Sequence, residues 1–121
     1  MNPVRLKVVT SPTIYERIKE VLEGKIGSVV NSSQIKESLR LKYGLNERSV
    51  IFSDYCYNRI NAGIKFDKHI FEYIEKGKYR YLGENYSYTG LIYSKPLGHD
   101  KEIVMGEWKN GKKFMKENLQ I

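Results

Sequence analysis

The chain contains few of the residues that build disulfides, metal sites or membrane spans. Cys56 is the only cysteine in 121 residues, so neither an intramolecular disulfide nor a cysteine-based metal site can form within it. The two histidines, His69 and His99, have no histidine or cysteine partner at metal-ligand spacing. No apolar run approaches the roughly 18 residues of a membrane span. We therefore expect a globular protein without a membrane segment, a bound metal or a cofactor.

Several catalytic and targeting signals are also missing. The sequence has no phosphate-binding glycine loop and no nucleophile elbow. The N-terminal residues lack the apolar core of a signal peptide, and no low-complexity run indicates disorder. The length suits one domain with a substantial core. We expect a single cytoplasmic domain over residues 1–121.

What the sequence has in excess is positive charge. Lysine and arginine total 21 against 14 aspartate and glutamate residues, which gives a formal net charge of +7. A basic surplus favours an anionic partner such as nucleic acid, an anionic membrane surface or an acidic protein. Charge alone does not choose among these partners, so the choice depends on the predicted structure.

Two helices are predicted in the first half of the chain. The first starts at Ser11-Pro12, a capping hydroxyl followed by proline at the first helical position, and ends at Gly24. The second starts at residues 31–33 and stops at Gly44. Its apolar residues recur every four positions: Ile35, Leu39 and Tyr43.

A third helix is predicted over residues 53–62, capped by Ser53 and ended by Gly63. Its apolar residues fall on one side at helical spacing: Phe52, Cys56 and Ile60. The opposite side carries hydrogen-bonding groups: Asp54, Tyr57, Asn58 and Asn61. Amides and a phenol can contact base edges or stack on a flat partner. Cys56 is expected in the core, as a small hydrophobe rather than a nucleophile.

After this helix the pattern becomes that of strands. Residues 71–74 and 79–82 are predicted strands, and Lys76-Gly77 between them can make a tight hairpin turn. The basic residues near the tip of this hairpin are Lys76, Lys78 and Arg80. A basic hairpin directly after three helices has the geometry of a wing.

The remainder of the chain is also β-like. Residues 90–94 form a predicted strand. Residues 103–108 and 112–115 flank Asn110-Gly111, the strongest short hairpin signal in the chain. A tail of this size is too short to fold alone. We expect it to extend the sheet of the wing or to pack against the helices.

Three helices followed by a two-stranded hairpin are the order of winged helix-turn-helix domains, and residues 13–82 resemble that family. The resemblance implies an α+β fold, namely a three-helix winged helix-turn-helix with a β-hairpin wing and a β-rich C-terminal extension. The core would occupy residues 10–82, and the extension at residues 83–121 would pack on it. The connection at residues 45–52 departs from the pattern, because it is longer than the turn of a simple helix-turn-helix.

Three shorter segments resemble an uncharacterised bacterial domain: residues 53–58, residues 79–86 and Gly106-Glu107-Trp108. That domain occurs in small stand-alone proteins and at the ends of restriction-type and HNH-type endonucleases. The resemblance covers residues 30–114 and implies DNA binding near host-defence or phage systems. It supplies no catalytic residue here.

The combined prediction is a non-catalytic module that binds double-stranded DNA. The helix at residues 53–62 would enter the major groove, and the hairpin at residues 71–82 would lie along the backbone. Tyr57, Asn58 and Asn61 are the predicted base readers, since asparagine can pair bidentately with adenine. Phosphate contacts are predicted for five basic residues: Lys36, Arg40, Lys76, Lys78 and Arg80.

Other interpretations stand beside this prediction. The polar helix face and the lysine-rich tip could be ordinary solvated surface. A protein-binding adaptor, or a phage-type inhibitor of a defence enzyme, could use an apolar patch formed by Leu91, Ile92, Tyr93, Leu97 and Met105. One set of tyrosines could stack single-stranded bases or simply pack a sheet: Tyr73, Tyr79, Tyr81, Tyr86 and Tyr88. A metal-dependent nuclease could use Asp100, Glu107 and Lys109. A second Glu-x-Lys occurs at residues 23–25, so this tripeptide is weak evidence for a nuclease.

Overall fold

The computed structural model describes residues 13–60, 68–94 and 101–116, and in them it shows a mixed α+β fold. The described residues form two α-helices, two 3₁₀ turns and two antiparallel three-stranded sheets. In chain order these are α1 (Ile14–Val21), β1 (Val29–Asn31), α2 (Ser32–Tyr43), 3₁₀ turns at Glu47–Ser49 and Phe52–Tyr55, β2 (Phe71–Glu75), β3 (Lys78–Tyr81), β4 (Gly90–Ser94), β5 (Ile103–Lys109) and β6 (Lys112–Met115).

Local capping signals account for both helices. Thr13 caps α1 in a reciprocal capping box with Glu16, so the helix begins slightly later than predicted, and Ser11-Pro12 lies outside the described residues. The Asn31 side chain caps α2 by accepting from two main-chain N–H groups. Gly44 ends α2 in the left-handed conformation at φ 70°. The predicted bounds of the second helix are therefore confirmed.

The first sheet has the strand order β1-β3-β2. The predicted hairpin is confirmed: β2 and β3 pair around a turn in which Gly77 adopts φ 82°. Strand β1 was not predicted; it is three residues long and pairs with β3, with Val30 opposite Tyr79. This pairing places the start of α2 beside the wing turn, where the Ser32 amide donates to the Gly77 carbonyl at 2.8 Å.

The second sheet has the strand order β4-β5-β6. The Asn110-Gly111 turn joins β5 and β6 with both residues at positive φ, 50° and 83°, as a two-residue hairpin turn requires. The hairpin predicted at this turn is thus confirmed. Trp108 pairs with Gly90 on one side and with Lys113 on the other, so it sits in the central strand of the sheet.

The predicted third helix is wrong. Between residues 53 and 60 the helical structure is a single 3₁₀ turn that ends at Tyr55. Beyond it residues 56–60, here called the bridging segment, pair with both sheets, Cys56 with Phe71 and Arg59 with Tyr93. A short helix gains little from its own hydrogen bonds, so pairing with two existing strands is the stronger alternative here. Asn61 and Gly63 lie outside the described residues.

Two groups of buried side chains form the interior. The first group joins both helices to the first sheet: Tyr15, Ile18, Leu22, Val30, Ile35, Leu39, Val50, Phe52, Cys56, Ile70, Phe71 and Tyr81. The second group lies under the second sheet: Tyr57, Leu82, Tyr88, Ile92 and Trp108. The consecutive residues Cys56 and Tyr57 belong to different groups, so the bridging segment connects the two. Neither helix in the described part of the chain is long and apolar enough to cross a membrane.

Candidate functional site

Tyr57, a predicted base reader, is an interior residue. Its side chain is only 3% exposed, and its ring stacks on Tyr88 at 5.2 Å between centroids. Its hydroxyl donates to the Gly83 carbonyl at 2.7 Å and accepts from the Tyr86 amide at 3.0 Å. Burial raises the pKa of this phenol. The prediction that Tyr57 faces outward is therefore wrong, because the segment that carries it is enclosed between the two sheets.

Asn58 is hydrogen-bonded to the main chain of β2. Its Nδ2 donates to the Tyr73 carbonyl at 3.0 Å, and its Oδ1 accepts from the Tyr73 amide at 2.8 Å. The amide thus pairs with β2 much as another strand would, since it supplies one donor and one acceptor. The same two atoms would be needed for a bidentate contact with adenine. Both ends of the Asn58 amide are therefore occupied within the fold, and the predicted base contact would require these two hydrogen bonds to break.

Truncation of Asn58 should destabilise the protein. We expect Asn58→Ala to lower the free energy of unfolding by about 1–3 kcal/mol, because it leaves the part-buried Tyr73 amide and carbonyl without these partners. Urea titration followed by circular dichroism measures the change. Gln34→Ala removes an exposed amide from α2 and should stay within about 0.5 kcal/mol. Equal stability of the two variants would contradict this assignment.

The predicted phosphate contacts fall into two groups. Arg40 forms an ion pair with Glu47 at 3.3 Å, and Arg80 contacts Glu72 at 3.7 Å. Those charges are partly neutralised within the protein. The other three predicted contacts form no ion pair with a residue in the described ranges: half-buried Lys36 on α2, and exposed Lys76 and Lys78 at the wing tip.

A basic groove lies where the β2–β3 hairpin meets the start of α2. Its volume is about 380 Å³, and it runs between β1 and the first turn of α2. Lys25 and Lys78 line this basic groove together with the exposed amide of Gln34. The sequence did not single out Lys25, because only the pairing of β1 with β3 brings it near Lys78. Two lysines that form no ion pair with a described residue therefore lie together beside the start of α2.

A larger opening, here called the aromatic cleft, lies between α1 and the second sheet. Its volume is about 590 Å³, within the usual range of small-molecule sites. Aromatic rings and polar side chains line it in similar numbers: Tyr15, Tyr57, Lys68, His69, Glu84, Asn85, Tyr86, Ser87, Trp108, Asn110, Gly111 and Lys112. These residues come from α1, the bridging segment, the segment before β2, the loop before β4 and the β5–β6 hairpin with its turn.

Hydrogen bonds at their polar ends fix the rings on the floor of the aromatic cleft. The Trp108 indole Nε1 donates to the Tyr57 carbonyl at 2.8 Å, and the two rings meet edge-on at 5.2 Å. His69 contacts Trp108 edge-on at 5.3 Å, and its Nε2 lies 3.4 Å from the Lys113 ammonium. Ring contacts and the hydrogen bonds of Tyr57 and Trp108 therefore hold the floor rings in place.

Glu84 supplies negative charge to one wall. Its carboxylate accepts from the Tyr15 hydroxyl at 2.5 Å and pairs with the Lys19 ammonium at 3.1 Å. The Tyr15 hydrogen bond, and next the one from Lys19, hold the pKa of Glu84 below its ordinary value. Burial, and next the bond to Glu84, raise the pKa of Tyr15. Glu84 is thus a charged hydrogen-bond acceptor, already balanced by Lys19.

Most of the predicted tyrosine ladder packs the sheets. Tyr73 and Tyr79 meet edge-on at 5.6 Å, and burial raises the pKa of Tyr79 to about 12. Tyr81 and Tyr88 are buried. Tyr86 differs, because its side chain is 46% exposed while it lines the aromatic cleft. The sequence signalled a ladder of tyrosines but not which member offers an open ring.

The remaining alternatives find little support in the described residues. Glu107 and Lys109 pair with each other at 3.6 Å, Asp100 lies outside the described residues, and residues 13–60, 68–94 and 101–116 contain no group of three metal-ligating side chains. Burial raises the pKa of the Cys56 thiol, as expected for a core residue. The proposed apolar patch is divided, since Leu91 is exposed while Ile92 is buried, and Leu97 is not among the described residues.

Comparisons with known proteins give a family and a relative. The model of a family described as a domain of unknown function, DUF7225, matches residues 13–115. An uncharacterised protein of Bacillus subtilis (strain 168), YnaC, is 54% identical over 105 residues, which make up 87% of this chain and 40% of the Bacillus protein. The chain thus spans less than half the length of that relative. No solved structure matches.

Proposed function

Because the chain belongs to the DUF7225 family, a domain of unknown function, we propose its role from the geometry: a non-catalytic module that binds double-stranded DNA. The observation that carries the proposal is the basic groove, where Lys25 and Lys78 lie beside the start of α2 and Lys76 extends from the wing tip. These ammonium groups form no ion pair with the described residues. They are therefore available to phosphates, which attract unpaired lysines without regard to sequence.

The order of elements supports a modified winged helix within this proposal. Helix α1, strand β1, helix α2 and the β2–β3 hairpin follow one another, and β3 lies between β1 and β2. Two 3₁₀ turns and the bridging segment take the place of the predicted third helix. The helix offered to the major groove would then be α2, with Gln34 at its exposed start near base edges. The cytoplasmic location predicted from the sequence is part of this proposal.

Removal of the wing charges should weaken duplex binding. We expect Lys76→Ala combined with Lys78→Ala to reduce affinity roughly tenfold at low salt, equally for all duplex sequences, because phosphate contacts position without specifying. The log–log slope of affinity against salt should flatten by roughly 2, about one contact for each lysine. Fluorescence anisotropy of a labelled mixed-sequence duplex pool measures both quantities.

A control with the same charge change separates the wing from net charge. Lys101→Ala combined with Lys116→Ala also removes two exposed lysines, but from the ends of the second sheet. This variant should keep most of the affinity. Equal weakening in the two double variants would remove the wing from the interface. No binding by the wild-type chain at low ionic strength would refute the proposed function altogether.

A further inference from the structure

We propose that the aromatic cleft is a second binding site, which takes a nucleotide: a nucleobase together with the phosphate on its sugar. The inference goes beyond the proposed function, since the aromatic cleft and the basic groove share no lining residue. The phosphate-bearing base could belong to a free nucleotide or to an unpaired position in a strand. The chemistry is the same in both cases, and the experiment below distinguishes them.

The shape of the aromatic cleft suits a flat ring. Tyr86 offers an exposed aromatic face at the side, while the floor is formed by Tyr57, His69 and Trp108. The floor rings contact one another at 5.2–5.5 Å between centroids. The Tyr57 hydroxyl and the Trp108 indole are already hydrogen-bonded within the protein, so little conformational entropy is lost when a planar ligand enters. Stacking on one aromatic side chain contributes about 1–3 kcal/mol per base.

The polar groups of the aromatic cleft suit the edge of a base. Base edges combine N–H donors with ring-nitrogen and carbonyl acceptors. The aromatic cleft supplies the Glu84 carboxylate as an acceptor, and the amides of Asn85 and Asn110 as both donors and acceptors. A purely apolar ring would form no hydrogen bond with these groups. A hydrogen-bonding heterocycle fits them better than a hydrocarbon does.

The rim of the aromatic cleft suits a phosphate. Lys68 and Lys112 are exposed there, and neither forms an ion pair with a residue in the described ranges. Lys68 also lies over the Tyr15 ring at 5.2 Å, close to the wall that bears Glu84. The one carboxylate in the lining, that of Glu84, is offset by Lys19. The charge remaining at the rim is therefore positive, which selects a base that carries an anionic group.

The chain contains a built-in reporter for this site. Trp108 is the only tryptophan and it lines the aromatic cleft, so its emission, excited at the red edge of its absorption, reports occupancy. Adenosine monophosphate should change the emission saturably, and adenosine should bind more weakly. Inorganic phosphate alone should leave the emission unchanged. A free nucleotide is the ligand if the monophosphate binds at least as tightly as a five-nucleotide single strand, and a strand-borne base is the ligand if the oligomer binds more than tenfold tighter.

Variants locate the site. Tyr86→Ala should weaken binding of the tighter ligand about 5- to 150-fold, the equivalent of the stacking contribution, while Tyr86→Phe should stay within about twofold. Phe114→Ala is the matched control, because it removes another exposed ring that lies outside the aromatic cleft. Lys68→Ala with Lys112→Ala should weaken the monophosphate but not adenosine. The Lys76→Ala and Lys78→Ala variant should bind the monophosphate normally, which separates this site from the duplex interface.

The proposal is overturned by either of two results. One is unchanged Trp108 emission with the monophosphate and the oligomer up to millimolar concentration. The other is equal weakening by Tyr86→Ala and Phe114→Ala when circular dichroism shows both to be folded. If Tyr86→Ala fails to fold, the double variant of Lys68 and Lys112 decides. The assignment is overturned if this variant binds the monophosphate as tightly as the wild type does, or weakens the monophosphate and adenosine equally.

Discussion

Replacement of Cys56 by aspartate is expected to unfold the protein or leave it insoluble. Cys56 is 1% exposed, and its thiol donates to the Phe52 carbonyl at 3.4 Å. The burial that raises the pKa of this thiol would act equally on a carboxyl group in its place. An unpaired buried charge is destabilising by several kcal/mol, a large part of the roughly 5–15 kcal/mol by which small domains are stable.

The pH dependence of the stability of Cys56→Asp shows whether the buried charge causes the defect. Burial should raise the folded-state pKa of the introduced carboxyl above its unfolded value of about 3.9. The folded state then holds the proton more tightly, so the defect is largest at neutral pH and is relieved as the pH falls. Circular dichroism of Cys56→Asp and Cys56→Ala between pH 4 and 7, with urea midpoints at each pH where the protein is folded, measures this, and the alanine variant should be folded throughout. A wild-type midpoint for Cys56→Asp at pH 7 would contradict the burial of this residue.

Alanine at Gly106 is expected to disrupt the second sheet. Gly106 is buried in β5 and pairs with Ile92 on one side and Met115 on the other. A Cβ atom there would lie 2.4 Å from the Phe114 carbonyl oxygen and 2.9 Å from the Met115 Cα. Both atoms are main chain, so relief requires the strands to separate. We expect a loss of about 3 kcal/mol, at the upper end of the range for overpacking.

Thermal denaturation followed by Trp108 emission measures this effect, because the same hairpin carries Trp108 into the aromatic cleft. Gly106→Ala also brings the new methyl group 3.0 Å from the Met115 sulfur. A double variant that adds Met115→Ala therefore tests which contact matters. Since the main-chain clash remains, the double variant should be no more stable than Gly106→Ala. Recovery of stability in the double variant would assign the clash to the side chain instead.

The two proposed sites make separate demands on the same chain. The basic groove needs free lysines on the wing, and the aromatic cleft needs an open ring at Tyr86 above a fixed floor. Since the two sites share no lining residue, we expect a variant of one site to leave the other unchanged, and duplex binding and base binding can then fail independently. If both proposals are correct, the module would bind a phosphate backbone at the basic groove and a single base in the aromatic cleft.

Local chemistry made part of the fold predictable. An asparagine cap, apolar residues every four positions and a left-handed Gly44 define α2 within one stretch of chain. The Asn110-Gly111 turn likewise fixes its hairpin, because those two residues adopt positive φ with little strain. The burial of Phe52 and Cys56 was also predictable, since apolar residues become buried whether their segment is helical or extended.

The bridging segment and both candidate sites were decided only by tertiary structure. Residues 56–60 satisfy a helical pattern, yet their hydrogen bonds go to β2 and β4, far along the chain. The Asn58 amide looks like a base reader until Tyr73, 15 residues away, occupies both its ends. Trp108 and Tyr57, which meet on the cleft floor, are 51 residues apart. A sequence pattern records the spacing of neighbours along the chain, whereas these sites depend on which distant strands pair.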